Sequence, residues 1–96
     1  MDLAFLPATE QAALIRRREV SSSELVELYL ERIARIDPEL NAFVTVLADG
    51  AREAAREADN VASDAPFHGV PIGLKDLTAT KGVRTTLSSR AYADFV

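Results

Sequence analysis

The sequence predicts an α/β protein: helices covering a mixed sheet that this chain begins but does not complete. Three observations lead there. Two segments carry helical periodicity with readable ends. A third is an alanine-striped amphipathic stretch. Between and after these helices stand two short apolar runs with the character of buried strands, a pattern that implies a sheet covered on its faces. The 96 residues suit one small domain, residues 1–96, with no internal boundary.

The periodicity predicts a first helix from about Ala8 to Arg18. Arg16, Arg17 and Arg18 close it, and cations suit the negative end of a helix dipole. They read as a solvated helix terminus rather than an anion site. A second helix has the clearest start. Ser21 is a good N-cap and Glu24 follows three residues later, as in a capping box. Val20 and Leu25 are spaced for a hydrophobic staple. Leu25, Leu28, Tyr29, Ile33 and Ile36 form one apolar stripe, which makes Tyr29 a core residue. Glu31 and Arg35 are a favourable i,i+4 pair. Asp37-Pro38 is expected to stop the helix, because the residue before proline is pushed out of the α region.

Ala42 to Leu47 reads Ala-Phe-Val-Thr-Val-Leu. A short apolar run rich in β-branched residues suits a strand buried on both faces. A third helix is expected from about Asp49 to Ala62, with Ala51, Ala54, Ala55, Ala58 and Ala62 as its stripe. Glu53 and Glu57 beside Arg52 and Arg56 read as a solvated, salt-bridged face rather than paired catalytic carboxylates. Ser63 to Pro66 is a linker, and His68 reads as a loop-ordering residue. A second strand is expected over Val70–Leu74. Thr78, Thr80, Thr85, Thr86, Ser88 and Ser89 then form a hydroxyl-rich stretch with a turn at Lys81-Gly82. It suits a polar pocket lining, or an ordinary loop and short hairpin. Two strands are too few for a sheet buried on both faces, so the chain reads as the beginning of a larger protein.

Composition bounds the function. Hydrophobic residues make up 48% and charged residues 27%, ordinary for a soluble globular protein. The net charge of -4 suggests no nucleic-acid-binding surface. No apolar run is long enough to span a bilayer, and the start has no basic region of a signal peptide. There is no cysteine, which fits the cytoplasm and excludes thiolate chemistry. One histidine and scattered carboxylates give no metal-site spacing. Neither a metal nor a cofactor is expected.

The segment Gly69-Val70-Pro71-Ile72-Gly73-Leu74-Lys75-Asp76 carries the chemistry. On a strand, Lys75 shares its face with Pro71 and Gly73. That leaves room beside the ammonium for a ligand or a second catalytic group. A lysine there is a candidate general base if burial, here from Leu74 and Leu77, favours its neutral form. Of eleven basic residues only Lys75 and Lys81 are lysines. Arginine cannot lose its proton, whereas a desolvated lysine can; coding bias explains the same count.

The run Phe67-His68-Gly69-Val70-Pro71-Ile72-Gly73-Leu74-Lys75-Asp76-Leu77 resembles the N-terminal lysine motif of the amidase signature family. Thr80-Lys81-Gly82-Val83-Arg84-Thr85-Thr86 is similar to the segment that follows there. Glu19 to Val26, Arg32-Ile33 and Leu40 to Phe43 match in order upstream. The resemblance implies a Ser–cis-Ser–Lys triad that hydrolyses or transfers amide groups through an acyl-enzyme, with Lys75 as the lysine. The two serines of that triad belong to a glycine/serine-rich motif absent from these residues. Ser21, Ser22, Ser23, Ser88 and Ser89 are in the wrong places. One departure stands out: many members carry glycine where this chain has Ser88. The resemblance implies a small-molecule amide substrate. Its alternative is glutamine, used by the A-type component of a tRNA-dependent amidotransferase. A non-catalytic truncated chain is the third reading. No nucleic-acid or membrane partner is expected; self-association of the incomplete chain is.

Overall fold

The structure is a computed structural model that describes residues 2–96. Three helices form its frame: α1 (Ala8–Arg16), α2 (Ser22–Leu40) and α3 (Ala48–Asp59). Single 3-10 turns stand at Leu3–Phe5 and Arg90–Tyr92. α2 packs against α3 along one side and receives the first 3-10 turn on another.

α2 starts as its sequence dictates. Ser21 is the N-cap, and its hydroxyl accepts from the Glu24 amide at 3.0 Å. Val20 and Leu25 are both buried, Leu25 completely. The helix runs on past its expected stop, with Pro38 inside its last turn. Two local bonds explain this. The Asn41 amide donates to the Asp37 carbonyl at 2.7 Å, and Asn41 takes the left-handed conformation, φ 54°, which asparagine tolerates at a helix end. The Asp37 carboxylate then accepts from the Ala42 amide, also at 2.7 Å. Pro38 has no N–H to give the carbonyl four residues back, and the cap beyond it holds the turn.

The predicted α/β fold is not what forms. Among the described residues there is no strand and no sheet; the regular structure is entirely helical. Ala42–Leu47 and Val70–Leu74 carry no helix and no strand pairing. The reason is physical. A strand is defined by hydrogen bonds to a neighbour, and an apolar run alone supplies none. These residues are accordingly exposed: Phe43 is 45%, Val44 51%, Leu47 52% and Ile72 80% accessible. α3 also ends earlier than its alanine stripe suggested, at Asp59, and of that stripe only Ala55 is fully buried.

The core is small and sits where the N-terminus of α2 meets α1 and α3. Its buried apolar residues are Ala12, Val20, Leu25, Val26 and Ala55. Buried polar residues extend it. Gln11 of α1 donates from Nε2 to the Leu3 carbonyl at 2.9 Å and to the Tyr29 hydroxyl at 2.6 Å. Tyr29 thus joins the core, by its oxygen as much as by its ring. Across the outer surface Arg52 of α3 pairs with Glu27 of α2 at 2.6 Å, and Arg35 with Glu31 at 3.0 Å. No helix among the described residues is long and apolar enough to cross a membrane.

Candidate functional site around Lys75

The loop that carries Lys75 hangs from the first turn of α2. Ser22 donates its hydroxyl to the Gly69 carbonyl at 2.6 Å. Gly69 is in the left-handed region, φ +83°, where glycine has no Cβ penalty. A Cβ there would stand 3.3 Å from Ser22 Cβ and 3.4 Å from Ile15 Cδ1. The position therefore needs glycine for conformation and for space. His68 is fixed beside it, its Nε2 at 2.8 Å from the Ala58 carbonyl. A neutral ring makes that bond by carrying its proton on Nε2. His68 is a loop-ordering residue, as its place in the sequence suggested.

The same helix end is clamped from the other side. Asp59, the last residue of α3, accepts from the Ser22 amide at 2.8 Å, the Ser23 amide at 3.2 Å and the Ser23 hydroxyl at 2.5 Å. Burial acts to raise the Asp59 carboxyl. The Ser23 hydroxyl, the two amides and nearby His68 outweigh it and hold its pKa below the ordinary value. Arg16, Arg17 and Arg18 stay at the solvated end of α1. Arg17 pairs with Glu19 at 2.9 Å, and Arg16 reaches the Pro66 carbonyl at 3.4 Å.

Lys75 is exposed and lies outside any helix. Its carbonyl accepts from the Thr78 amide at 3.0 Å, closing a turn. The burial anticipated from Leu74 and Leu77 is not there: these two are 59% and 57% accessible. Nothing folds over them among the described residues, because the strand expected to carry them inward has no partner. Lys75 makes no ion pair among the described residues. It borders a depression of about 290 Å³ shared with Asp76, Leu77, Leu87 and Ser88.

Asp76 supplies what order this region has. Its carboxylate accepts from the Thr86 amide at 2.7 Å and also from the Thr86 hydroxyl. That hydroxyl and amide, with lesser help from Ser88 and Arg84, hold the Asp76 carboxyl below its usual range. Thr86 is buried, as is Thr85, whose amide donates to the Phe95 carbonyl at 2.9 Å. The Thr86 hydroxyl oxygen in turn accepts from the Ser88 amide at 3.2 Å. Leu87 and Ser88 both adopt positive φ, 54° and 58°. Ser88 thus stands in a left-handed conformation, one that glycine adopts without a Cβ penalty. Ser89 caps the 3-10 turn after it, accepting from the Ala91 amide at 3.3 Å.

The structure brings Lys75 and Ser88 to one depression and leaves Ser21, Ser22 and Ser23 at the head of α2. Sequence reasoning named Asp76 only as a member of the lysine segment. The signal was present in the acid next to a lysine and a hydroxyl-rich stretch downstream. Asp59 had no such signal, since its partners lie 36 and 37 residues away.

Comparison with known proteins agrees with the motif. The family model described as Amidase matches residues 24–96. The A-type component of the glutamyl-tRNA(Gln) amidotransferase of Aromatoleum aromaticum is 50% identical over 91 residues, covering 92% of this chain and 19% of that protein. The protein of the same name from Geotalea daltonii is 42% identical over 99 residues, 100% of this chain and 20% of its own length. The one from Dehalococcoides mccartyi is 40% identical over 98 residues, 99% and 20% respectively. The chain spans about one fifth of the length of these curated relatives. No solved structure matches. With a family model fitted from α2 through the lysine loop to Val96, the chain belongs to the amidase family.

Proposed function

We propose that this chain contributes the general base, Lys75, to an enzyme that cleaves a carboxylic amide C–N bond through a Ser–cis-Ser–Lys triad. The observation that carries this is the place of Lys75. It lies in the family-matched segment, has no ion-pair partner among the described residues, and borders a depression. A serine hydroxyl needs a base to become a nucleophile. A lysine does this only when neutral, which requires removal from water. These 96 residues leave Lys75 exposed and lack the glycine/serine-rich motif. The isolated chain is therefore inactive, and its lysine works only when further polypeptide encloses it. The substrate is a small amide. The names of the relatives favour glutamine as that amide, within an amidotransferase assembly in which this chain would form part of the A-type component.

The test is a chimera in which these residues replace the matching fifth of the Aromatoleum aromaticum protein. Hydrolysis of glutamine and of simple amides is measured for it and for its Lys75 variants. Lys75→Ala is expected to lower turnover by about 10²–10⁴, the usual worth of a general base. Lys75→Arg is expected to fail nearly as badly, since guanidinium stays protonated. Near-wild-type turnover with arginine refutes the general-base role.

A further inference from the structure

We propose that Asp76 is a positioning residue for Lys75. Its carboxylate fastens the lysine loop to buried Thr86 and so sets where the lysine stands relative to the Leu87–Ser88 turn. The inference rests on the reading of Lys75 as the general base and adds the group that aims it.

Three observations carry it. Asp76 is the next residue in the chain, so its Cα is about 3.8 Å from that of Lys75, and fixing one fixes the backbone of the other. Its grip is double. The carboxylate takes both the amide and the hydroxyl of Thr86, and charge-assisted bonds of this kind are the strong ones. Its anchor is firm, because Thr86 is only 6% accessible. The bonds also continue beyond Thr86. The Thr86 hydroxyl donates to Asp76 and accepts from the Ser88 amide, which links Asp76 to the turn on the far wall of the depression. That wall is held at two successive positive φ values by residues other than glycine, a costly conformation that persists only where neighbours determine it. On this same C-terminal side of Lys75, its own carbonyl is held by the Thr78 amide. The backbone leaving Lys75 is thus tied twice, while its side chain makes no ion pair among the described residues. Arg84 is the cation whose field reaches the Asp76 carboxylate.

The test has two arms. In the 96-residue chain, NMR follows the Thr86 and Ser88 amides as Asp76 titrates. Both are expected to move with one midpoint, to keep it in Lys75→Ala, and to lose it in Asp76→Asn. Amides that ignore the titration overturn the clasp. In the chimera, Asp76→Asn is expected to lower kcat about 10–100-fold, the scale of a displacement near 1 Å, with KM within about twofold. A rise in KM at unchanged kcat overturns the positioning role. Thr86→Val, which removes only the hydroxyl, should copy Asp76→Asn. Thr86→Ser, which keeps both donors, should restore kcat; this pair decides the matter if Asp76→Asn does not fold. A folded Asp76→Asn chimera with unchanged kcat, beside an inactive Lys75→Ala, overturns the inference alone. An active Lys75→Ala overturns the reading of the lysine and with it this inference, and the amide titration still reports on the clasp itself.

Discussion

Replacing Asp59 by alanine is the perturbation whose cost the structure defines best. The first helical amides of α2 have no partner within the helix. Ser21 satisfies Glu24. Asp59 satisfies the other two, Ser22 and Ser23, and takes the Ser23 hydroxyl as well. Ser22 is 3% accessible, so its amide, once abandoned, is largely out of reach of water. A buried unsatisfied donor costs about 1–3 kcal/mol. The two Ser23 bonds are half-exposed and water recovers part of them, leaving about 1 kcal/mol in line with an ordinary cap. Loss of a negative charge at a helix N-terminus adds about 0.3–1 kcal/mol. The sum is about 2–5 kcal/mol. Native domains are stable by only about 5–15 kcal/mol, and five buried apolar residues among those described put this chain near the lower end. The assay is urea unfolding of the 96-residue chain, followed by far-UV circular dichroism. Asp59→Ala is expected to lose about 2–5 kcal/mol and Asp59→Asn, which keeps one acceptor, about half of that. An alanine variant within about 0.5 kcal/mol of the parent, the ordinary range for an inert surface change, would mean that α3 does not hold the head of α2.

Further outcomes follow from the same geometry. Gly69→Ala should cost about 1–2 kcal/mol for its left-handed φ alone, with more from contact with Ser22 and Ile15; urea unfolding measures it, and an unchanged midpoint refutes the close approach. The carboxyls of Asp59 and Asp76 both lie below their ordinary value when folded. Their contribution is therefore complete above the unfolded value of about 3.9 and is lost as pH falls through the folded values. An acid titration of helicity should show a loss below about pH 4, less steep in Asp59→Asn. The chain should self-associate as concentration rises, through exposed Phe43, Val44, Ile72 and Leu74. Sedimentation velocity should show the Ile72→Lys, Leu74→Lys double variant remaining smaller, and an unchanged distribution would move the contact elsewhere.

What the sequence revealed was local. The start of α2 was legible because its cap, its staple and its stripe all lie within about four turns and need nothing from elsewhere. The lysine loop was legible as a motif, and Gly69, Asp76 and Thr86 in it have structural work that fits. The strands were not legible. Apolar, β-branched runs state a preference for burial, but pairing depends on a neighbour at any distance along the chain, and none of the described residues supplies it. The end of α2 was missed for the opposite reason. Proline at position 38 is a strong local signal, and the Asp37–Asn41–Ala42 bonds that override it form only once the helix has arrived. The exposure of Lys75 follows from the strands: its desolvation was inferred from apolar neighbours that have nothing to pack on.

The two aspartates make one physical point. Asp59 grips the amide and hydroxyl of Ser23, and Asp76 grips the amide and hydroxyl of Thr86. Each fastens a non-helical stretch or a helix end to a residue remote in sequence, where an apolar core of five side chains among the described residues is too small to do so. Burial is non-directional, and exposed loops gain little from it. A carboxylate taking two donors of one residue fixes both distance and orientation. Orientation is what the role proposed for Lys75 requires. The first grip joins α3 to α2, and Ser22 carries that order onward to Gly69. The second begins seven residues later, directly after Lys75. Between them the chain from Gly69 to Asp76 is held at both ends and exposed along Ile72 to Lys75. Such a segment keeps its place while its apolar side chains and its lysine stay exposed.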